Sequence, residues 1–344
     1  MLKLYDDNGY LILQNILDLN LPFNFVVGGR GTGKTYGALR YVIENDVKFI
    51  LMRRTQSQVD LINKPEFCPF KTLNNDFGWN IGTQAISKYN VGFYRMEDVN
   101  GKQVASGSPL GYSVALSTIS NLRGFDASDV NLLIYDEFIP ERHERPIKEE
   151  GAAFLNAYET INRNRELKGL KPLQVVCLAN ANDLGNPIFT ELKLISKAEH
   201  MRRKGQEVSI NNDKGIGLFI LQGSPVSKAK KNTALYKLTE DSEFEQMALD
   251  NSFSELNERN IKSCNLAEFR PIVSVGEICI YKHKSNGTYY CSGHKSGSPV
   301  SFGTSETELE RYFRGYSWLW DTFMKNKIYF EDSTCMVLFT KYLS

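Results

Sequence analysis

The first two-thirds of the chain alternates short apolar runs with helical-period stretches, and polar or glycine-rich breaks separate them. Asn24 to Val27 reads as a buried strand, and Tyr36 to Glu44 places Ala38, Leu39, Val42 and Ile43 on one helical face. Val47 to Met52 predicts a second strand. Tyr89 to Met96 and Tyr112 to Leu116 read as the arms of a hairpin turned at Asn100-Gly101, with a Gly/Ser-rich loop before the second arm. Val130 to Tyr135 predicts a further strand, Ala152 to Glu166 a helix burying Phe154, Ala157 and Ile161, and Leu173 to Leu178 and Leu218 to Leu221 two more strands. Strands alternating with helices imply an α/β domain with a mostly parallel sheet. Residues 63–86 show no clear period, and Glu141 to Glu150 reads as a charged, solvated segment.

The texture changes towards the C-terminus. Pro271 to Tyr281, Thr288 to Cys291 and Lys327 to Phe330 read as strands, with a hairpin turn at Asn286-Gly287. Ser305 and Glu308 have capping-box spacing ahead of a helix containing Leu309, Tyr312, Phe313, Trp318, Leu319 and Phe323. These changes suggest a first domain over 1–200, a basic connector over 201–230 and a smaller α+β domain over 231–344. The length, 344 residues, suits two domains.

Composition narrows the classes without choosing among them. Hydrophobic residues make up 42% and charged residues 24%, as in an ordinary globular chain, and the net charge of +1 makes no global demand for a polyanion. No apolar run approaches 18 residues and the N-terminus does not read as a signal peptide, so an intracellular protein is expected. Six scattered cysteines fit a reducing compartment, and Cys177 reads as a small buried hydrophobe. Cys279, His283, Cys291 and His294 have the residue types of a zinc site but not its spacing.

The chemistry concentrates at strand ends. Gly28, Gly29, Arg30, Gly31, Thr32, Gly33, Lys34 and Thr35 satisfy the phosphate-loop pattern between a strand and a helix. Its backbone N–H groups would cradle phosphates, Lys34 would reach the β- and γ-phosphates, and the Thr35 hydroxyl would ligate Mg²⁺. The strand L-L-I-Y ends in Asp136-Glu137, where Asp136 would support the metal's water shell and Glu137 would polarise an attacking water. That adjacency favours an additional-strand ATPase over a kinase. Asn180 ends the neighbouring strand, where an amide would sense the γ-phosphate or the lytic water. Arg53-Arg54 ends the second strand, either salt-bridged locally or facing phosphate or a neighbouring subunit. Basic clusters at Arg202, Arg203 and Lys204 and at Lys228, Lys230 and Lys231 read as solubilising surface or as a phosphate-tracking face.

Taken in order, G-G-R-G-T-G-K-T, L-M-R-R, L-L-I-Y-D-E-F, N-R-N-R-E and C-L-A-N-A-N-D-L-G-N-P-I-F resemble the DNA-packaging ATPase of small podovirus-type tailed bacteriophages. The resemblance covers most of residues 20–200 and continues weakly through Ala248 to Asn251. It implies an ATPase using ATP and Mg²⁺, with Glu137 catalytic, Arg53 near the nucleotide and Asn180 in a coupling motif. It implies that Arg163, with Arg165 as the second candidate, is donated across a subunit interface. A pentameric ring at the prohead portal vertex within the host cytoplasm is implied, with double-stranded DNA, the portal and in one subgroup a structural packaging RNA as partners. The C-terminal domain is expected to resemble an RNase H-type nuclease fold without its active carboxylates. A helicase-like ATPase and a nucleotide-gated binding protein remain the rival readings.

Overall fold

The computed structural model describes residues 2–122, 127–141, 144–145, 147–180, 184–221, 226, 232–239, 260–295, 297 and 300–343. The chain divides into two compact units. The first comprises Met1–Glu191 and His200–Ser254, and the second Leu192–Glu199 and Glu255–Ser344.

The first unit is built on a nine-stranded sheet. In chain order its strands are β1 (Phe23–Gly28), β2 (Phe49–Arg53), β3 (Ile81–Ala85), β4 (Asn90–Val99), β5 (Lys102–Ala115), β6 (Leu132–Asp136), β7 (Gln174–Asn180), β8 (Val208–Asn211) and β9 (Ile216–Leu221). Across the sheet the order is β3-β4-β5-β2-β6-β7-β1-β9-β8. The six strands from β5 to β9 run parallel, with antiparallel pairs added at both edges. Central strands buried on both faces need near-continuous apolar runs, and β1, β2, β6 and β7 have them: Phe25, Val26, Ile50, Leu51, Leu133, Ile134, Val175 and Val176 are all at most 1% exposed. The strand carrying the phosphate loop and the strand carrying the acidic pair are separated by β7, as the additional-strand reading requires.

Helices α1 (Leu13–Leu17), α2 (Lys34–Glu44), α3 (Gln56–Ile62), α4 (Lys71–Phe77), α5 (Glu150–Asn162), α6 (Pro187–Glu191), α7 (Ile195–Lys204) and α8 (Ala234–Leu238) complete the described part of the chain to residue 239, together with short 3₁₀ turns. Helix α2 buries Ala38, Leu39 and Val42, the apolar stripe its sequence predicts.

Several expectations are corrected here. Residues 63–86 hold α4 and β3, too short to display a period. The Gly/Ser-rich stretch Ser106-Gly107-Ser108 lies inside β5, where the pairing with β4 shifts register beyond Ser106 and Gly107 takes φ 71°. Residues 208–221 form β8 and β9, and β9 pairs with β1 in the central sheet, so this part of the expected connector belongs to the first unit. Lys228, Lys230, Lys231 and the Ala248 to Asn251 stretch lie outside the described residues.

The second unit contains a five-stranded sheet, ordered β13 (Ser301–Phe302), β10 (Phe269–Val275), β11 (Ile278–His283), β12 (Tyr289–Ser292) and β14 (Ile328–Phe330). The run Pro271 to Tyr281 is not one strand but a hairpin, because Gly276 turns the chain at φ 50°. Helices α9 (Glu306–Tyr316), α10 (Trp318–Met324) and α11 (Ser333–Tyr342) accompany it. The N-terminus of α9 is capped by Ser305, whose side chain accepts from the Glu308 amide. Tyr312, Leu319, Phe330 and Phe339 pack with Val273 and Ile280 into a core of its own.

Candidate active site

Every functional side chain of the candidate site stands at the carboxyl edge of the parallel sheet, and strand register sets their heights. Gly28 of β1 is level with Asn180 of β7, and Met52 of β2 is level with Tyr135 of β6, which brings Arg53 alongside Asp136. The carboxyl edge is where open α/β sheets bind ligands.

The loop between β1 and α2 holds its shape with Gly31 at φ 77° and Gly33 at φ 72°, conformations that suit residues lacking Cβ. A Cβ on Gly33 would also meet the Tyr10 ring at 2.5 Å. The Lys34 ammonium curls back beneath the loop. It donates to the carbonyls of Gly28 at 3.0 Å and Gly29 at 2.7 Å, to Thr32 Oγ1 at 3.3 Å and to Asn180 Oδ1 at 3.3 Å. Lys34 is only 7% exposed. The ammonium lies beneath the loop, beside backbone N–H groups at the start of α2 that favour an anion.

The acidic side of the cleft faces it. Thr35 donates its hydroxyl to both Asp136 oxygens, at 2.9 and 3.0 Å, and Arg53 Nη2 lies 3.0 Å from Asp136 Oδ2. Arg53 Nη1 donates to Glu137 Oε2 at 2.8 Å, while its buried Nε finds no hydrogen-bond partner among the described residues. Glu137 leaves the strand at φ 56°, a left-handed conformation uncommon for a residue with a side chain. Its side chain is 55% exposed. Loss of water on the packed flank pushes its pKa above the ordinary carboxylate range. Arg53 acts the other way, and the charges of Asp136, Glu144 and Glu141 add to the rise. The cleft of about 210 Å³ between these groups is lined by the loop, Tyr36, Asp136, Glu137, Ala179 and Asn180.

The Thr35 hydroxyl and the Asp136 carboxylate are hard oxygen donors, and they fit Mg²⁺, which takes one or two protein ligands and completes its shell with phosphates and water. Among the described residues no cluster of three His, Cys, Asp or Glu side chains is placed to hold a metal by itself, and a nucleotide-borne Mg²⁺ needs none.

Arg30, in the phosphate loop, is ion-paired with Glu141. Arg54 turns away from the cleft. It is wholly buried, with Nε and Nη2 donating to the two Glu150 oxygens at 2.7 and 2.9 Å and Nη1 to Glu144 at 2.9 Å. The Tyr135 hydroxyl donates to Glu150 at 3.2 Å. The segment Glu141 to Glu150 is therefore not simply solvated, since Glu150 is 1% exposed. Its run of charges of both signs conceals the pairing, and the only hint of it is the second arginine of Arg53-Arg54. Of the two readings of that pair, the local salt bridge describes Arg54, and Arg53 joins the cleft while being bridged as well.

Arg163 is not gathered here. Helix α5 ends at Asn162 rather than at Glu166, and Arg163 caps it at φ 49°, its amide donating to the Glu159 carbonyl at 2.9 Å. The helix runs back from the carboxyl edge, so both Arg163 and Arg165 lie at the opposite edge. There Arg165 donates to the carbonyls of Ser128, at 3.0 Å, and of Val130, just before β6. The fold keeps both arginines out of their own chain's cleft. Asn182 lies outside the described residues.

A family profile described as podovirus DNA encapsidation protein (Gp16) matches residues 5–265. The chain is 27% identical over 245 residues to the DNA packaging protein of Bacillus phage phi29, covering 70% of this chain and 64% of the relative. The match thus spans less than two-thirds of that relative's length. The fold is similar to two solved structures. One is titled the Phi-28 gp11 DNA packaging motor, with a TM-score of 0.65 at 20% identity and 98% of each chain covered. The other is titled the bacteriophage Phi-29 viral genome packaging motor assembly, with a TM-score of 0.64 at 18% identity, 99% of this chain and 100% of that one.

Proposed function

Because the chain belongs to the podovirus DNA encapsidation protein (Gp16) family, we propose that it hydrolyses ATP to drive double-stranded viral DNA into a preformed capsid, working as a homomeric ring, with five subunits expected. The observation that carries the reading is the cleft itself, where a phosphate loop, Lys34, Thr35, Asp136, Glu137 and Asn180 converge at one sheet edge.

On this reading the backbone amides of Gly31 to Thr35 and the Lys34 ammonium bind the β- and γ-phosphates. The ammonium exchanges its carbonyl partners for phosphate oxygens, a stronger charge-assisted contact. Mg²⁺ held by Thr35 and Asp136 would neutralise charge on those phosphates. Glu137 orients and accepts a proton from the attacking water, and Arg53 fixes Glu137 and Asp136 in register. Asn180 moves between Lys34 and the terminal phosphate, so that strand β7 reads whether that phosphate is present. Arg163 of a neighbouring subunit completes the site, since its own chain's fold holds it a helix length away. Repetition around a ring supplies the DNA grip that a net charge of +1 does not, by phosphate contacts without sequence readout. The partners are DNA, a second copy of the chain, the capsid portal and, in one subgroup, a structural RNA. The site of action is the portal vertex within the host cytoplasm. The second unit is assigned as a nuclease-like domain that no longer cuts.

The test is steady-state ATP hydrolysis with and without double-stranded DNA and empty capsids, with Lys34→Ala as the blank. The expected result is strong stimulation requiring both additions. Arg163→Ala chains should hydrolyse poorly alone and regain activity when mixed with Glu137→Ala chains. Turnover indifferent to capsids would favour a helicase-like ATPase, and no turnover under any condition a nucleotide-gated binding protein. Confirmed mixed assembly without regained activity would remove Arg163 from its role.

A further inference from the structure

Resting on the phosphate-loop reading above, we infer that the turn Asp6–Tyr10 presents the Tyr10 ring, beside Tyr36, as the stacking platform for the base of a purine nucleoside triphosphate.

The cleft has two unlike flanks. Asp136 and Glu137 stand with the Thr35 hydroxyl on one side, where the metal-bearing, reacting end of a phosphate chain belongs. The nucleoside must therefore leave away from the carboxylates. On that path lies Tyr36, the residue after Thr35, which lines the cleft, with the Tyr10 ring centroid 5.7 Å from its own at a 31° tilt.

Tyr10 is held in place yet left uncovered. Asp6 Oδ1 accepts from the amides of Asn8 at 2.9 Å and Tyr10 at 2.8 Å, and the Asp6 amide donates to the Tyr10 carbonyl at 2.9 Å. The next residue, Leu11, donates its amide to the Thr32 carbonyl at 3.1 Å, which ties the turn to the phosphate loop. A glycine at position 33 is needed in part because the Tyr10 ring occupies the space of its Cβ. Tyr36 is fixed from its far end, its hydroxyl donating to Asp76 Oδ2 at 2.8 Å. With all this fixation Tyr10 remains 40% exposed. A fixed, exposed aromatic surface at the nucleoside flank suits the flat face of a base, and a purine offers more of it than a pyrimidine.

The experiment is calorimetric titration of the full chain with the magnesium forms of ATP, CTP and inorganic tripolyphosphate. Wild type should bind ATP more tightly than CTP or tripolyphosphate. Tyr10→Ala should weaken ATP binding by about tenfold or more while leaving tripolyphosphate unmoved, and Tyr10→Phe should retain wild-type affinity. Unmoved tripolyphosphate binding also shows that the variant is folded. Equal affinity for ATP and CTP in wild type would overturn the inference, as would ATP binding by Tyr10→Ala equal to that of wild type. Parallel loss of ATP and tripolyphosphate would overturn it too, by making Tyr10 a prop for the loop. If tripolyphosphate binds Lys34→Ala as tightly as wild type, the phosphate-loop reading itself fails and takes this inference with it.

Discussion

Two polar clusters meet at the adjacent residues Arg53 and Arg54, at the carboxyl end of β2, and are built on opposite terms. In the cleft, Lys34 donates to the Gly28 carbonyl and the Asn180 amide oxygen, the Arg53 Nε is without a hydrogen-bond partner among the described residues, and Glu137 is half open to water. Behind it, Arg54 and Glu150 are joined by two short hydrogen bonds, nothing of either side chain is exposed, and Tyr135 fills a remaining acceptor position. Burial opposes the charge of Arg54, but Glu150 and Glu144 outweigh it and its pKa is raised. Burial, with the charge of Glu150, also pushes the Tyr135 hydroxyl far from ionisation. The first cluster keeps exchangeable contacts that a phosphate can replace; the second is saturated and joins the end of β2 to the start of α5. A site that must change partners has to be mounted on one that does not.

Breaking the saturated cluster should have the largest effect. Arg54→Met leaves the Glu150 carboxylate buried without its partner, and should cost about 3–5 kcal/mol of stability in urea unfolding. The double variant Arg54→Met/Glu150→Leu should recover most of that, because a buried ion pair replaced by apolar groups of similar size is often neutral. A double variant as unstable as the single one would mean that packing, not charge, holds this corner.

The exchangeable cluster should answer in rate instead. Glu137→Gln keeps the shape but cannot take a proton, so ATP hydrolysis should fall by roughly a hundredfold or more while ATP binding, measured by calorimetry, is retained. An equal loss of binding would place Glu137 in ground-state contact rather than in the chemical step.

Tyr135→Phe removes one bond from a carboxylate that keeps its arginine. A loss of about 1 kcal/mol in the same unfolding experiment is expected. A loss as large as that of Arg54→Met would make the hydroxyl an essential member of the cluster.

The smallest effect sharpens the contrast by sign. The pKa of Glu137 is higher folded than unfolded, so its ionisation opposes folding. Its favourable contribution is complete below the unfolded value and is lost as pH rises through the folded one. Glu137→Gln should therefore melt slightly above wild type at neutral pH, with the difference vanishing on acidification through the glutamate range. A variant less stable than wild type at neutral pH would mean that the Arg53 bridge outweighs the desolvation.

What the sequence determined by itself is local. A loop with Gly28, Gly33, Lys34 and Thr35 in fixed spacing, strands of unbroken apolar residues, and carboxylates and an amide at strand ends are legible because a residue's conformation and its nearest neighbours are set within a few positions. Strand ends were also enough to bring Arg53, Asp136 and Asn180 to one edge, given a parallel sheet. The turn at Gly276, hidden within an apolar stretch, and the short elements between residues 63 and 86 left too little pattern to find. Long-range pairing was decided only in three dimensions. Strand order placed β7 between β1 and β6, and drew β9 out of a basic stretch into the sheet. The same tertiary packing sent two adjacent arginines to different clusters: Arg53 ends β2, Arg54 lies just beyond it, and whether Arg54 meets Glu150 depends on how a helix 96 residues later packs. It also carried Arg163 to the opposite edge, since a helix linking parallel strands must return its chain to where the next strand begins.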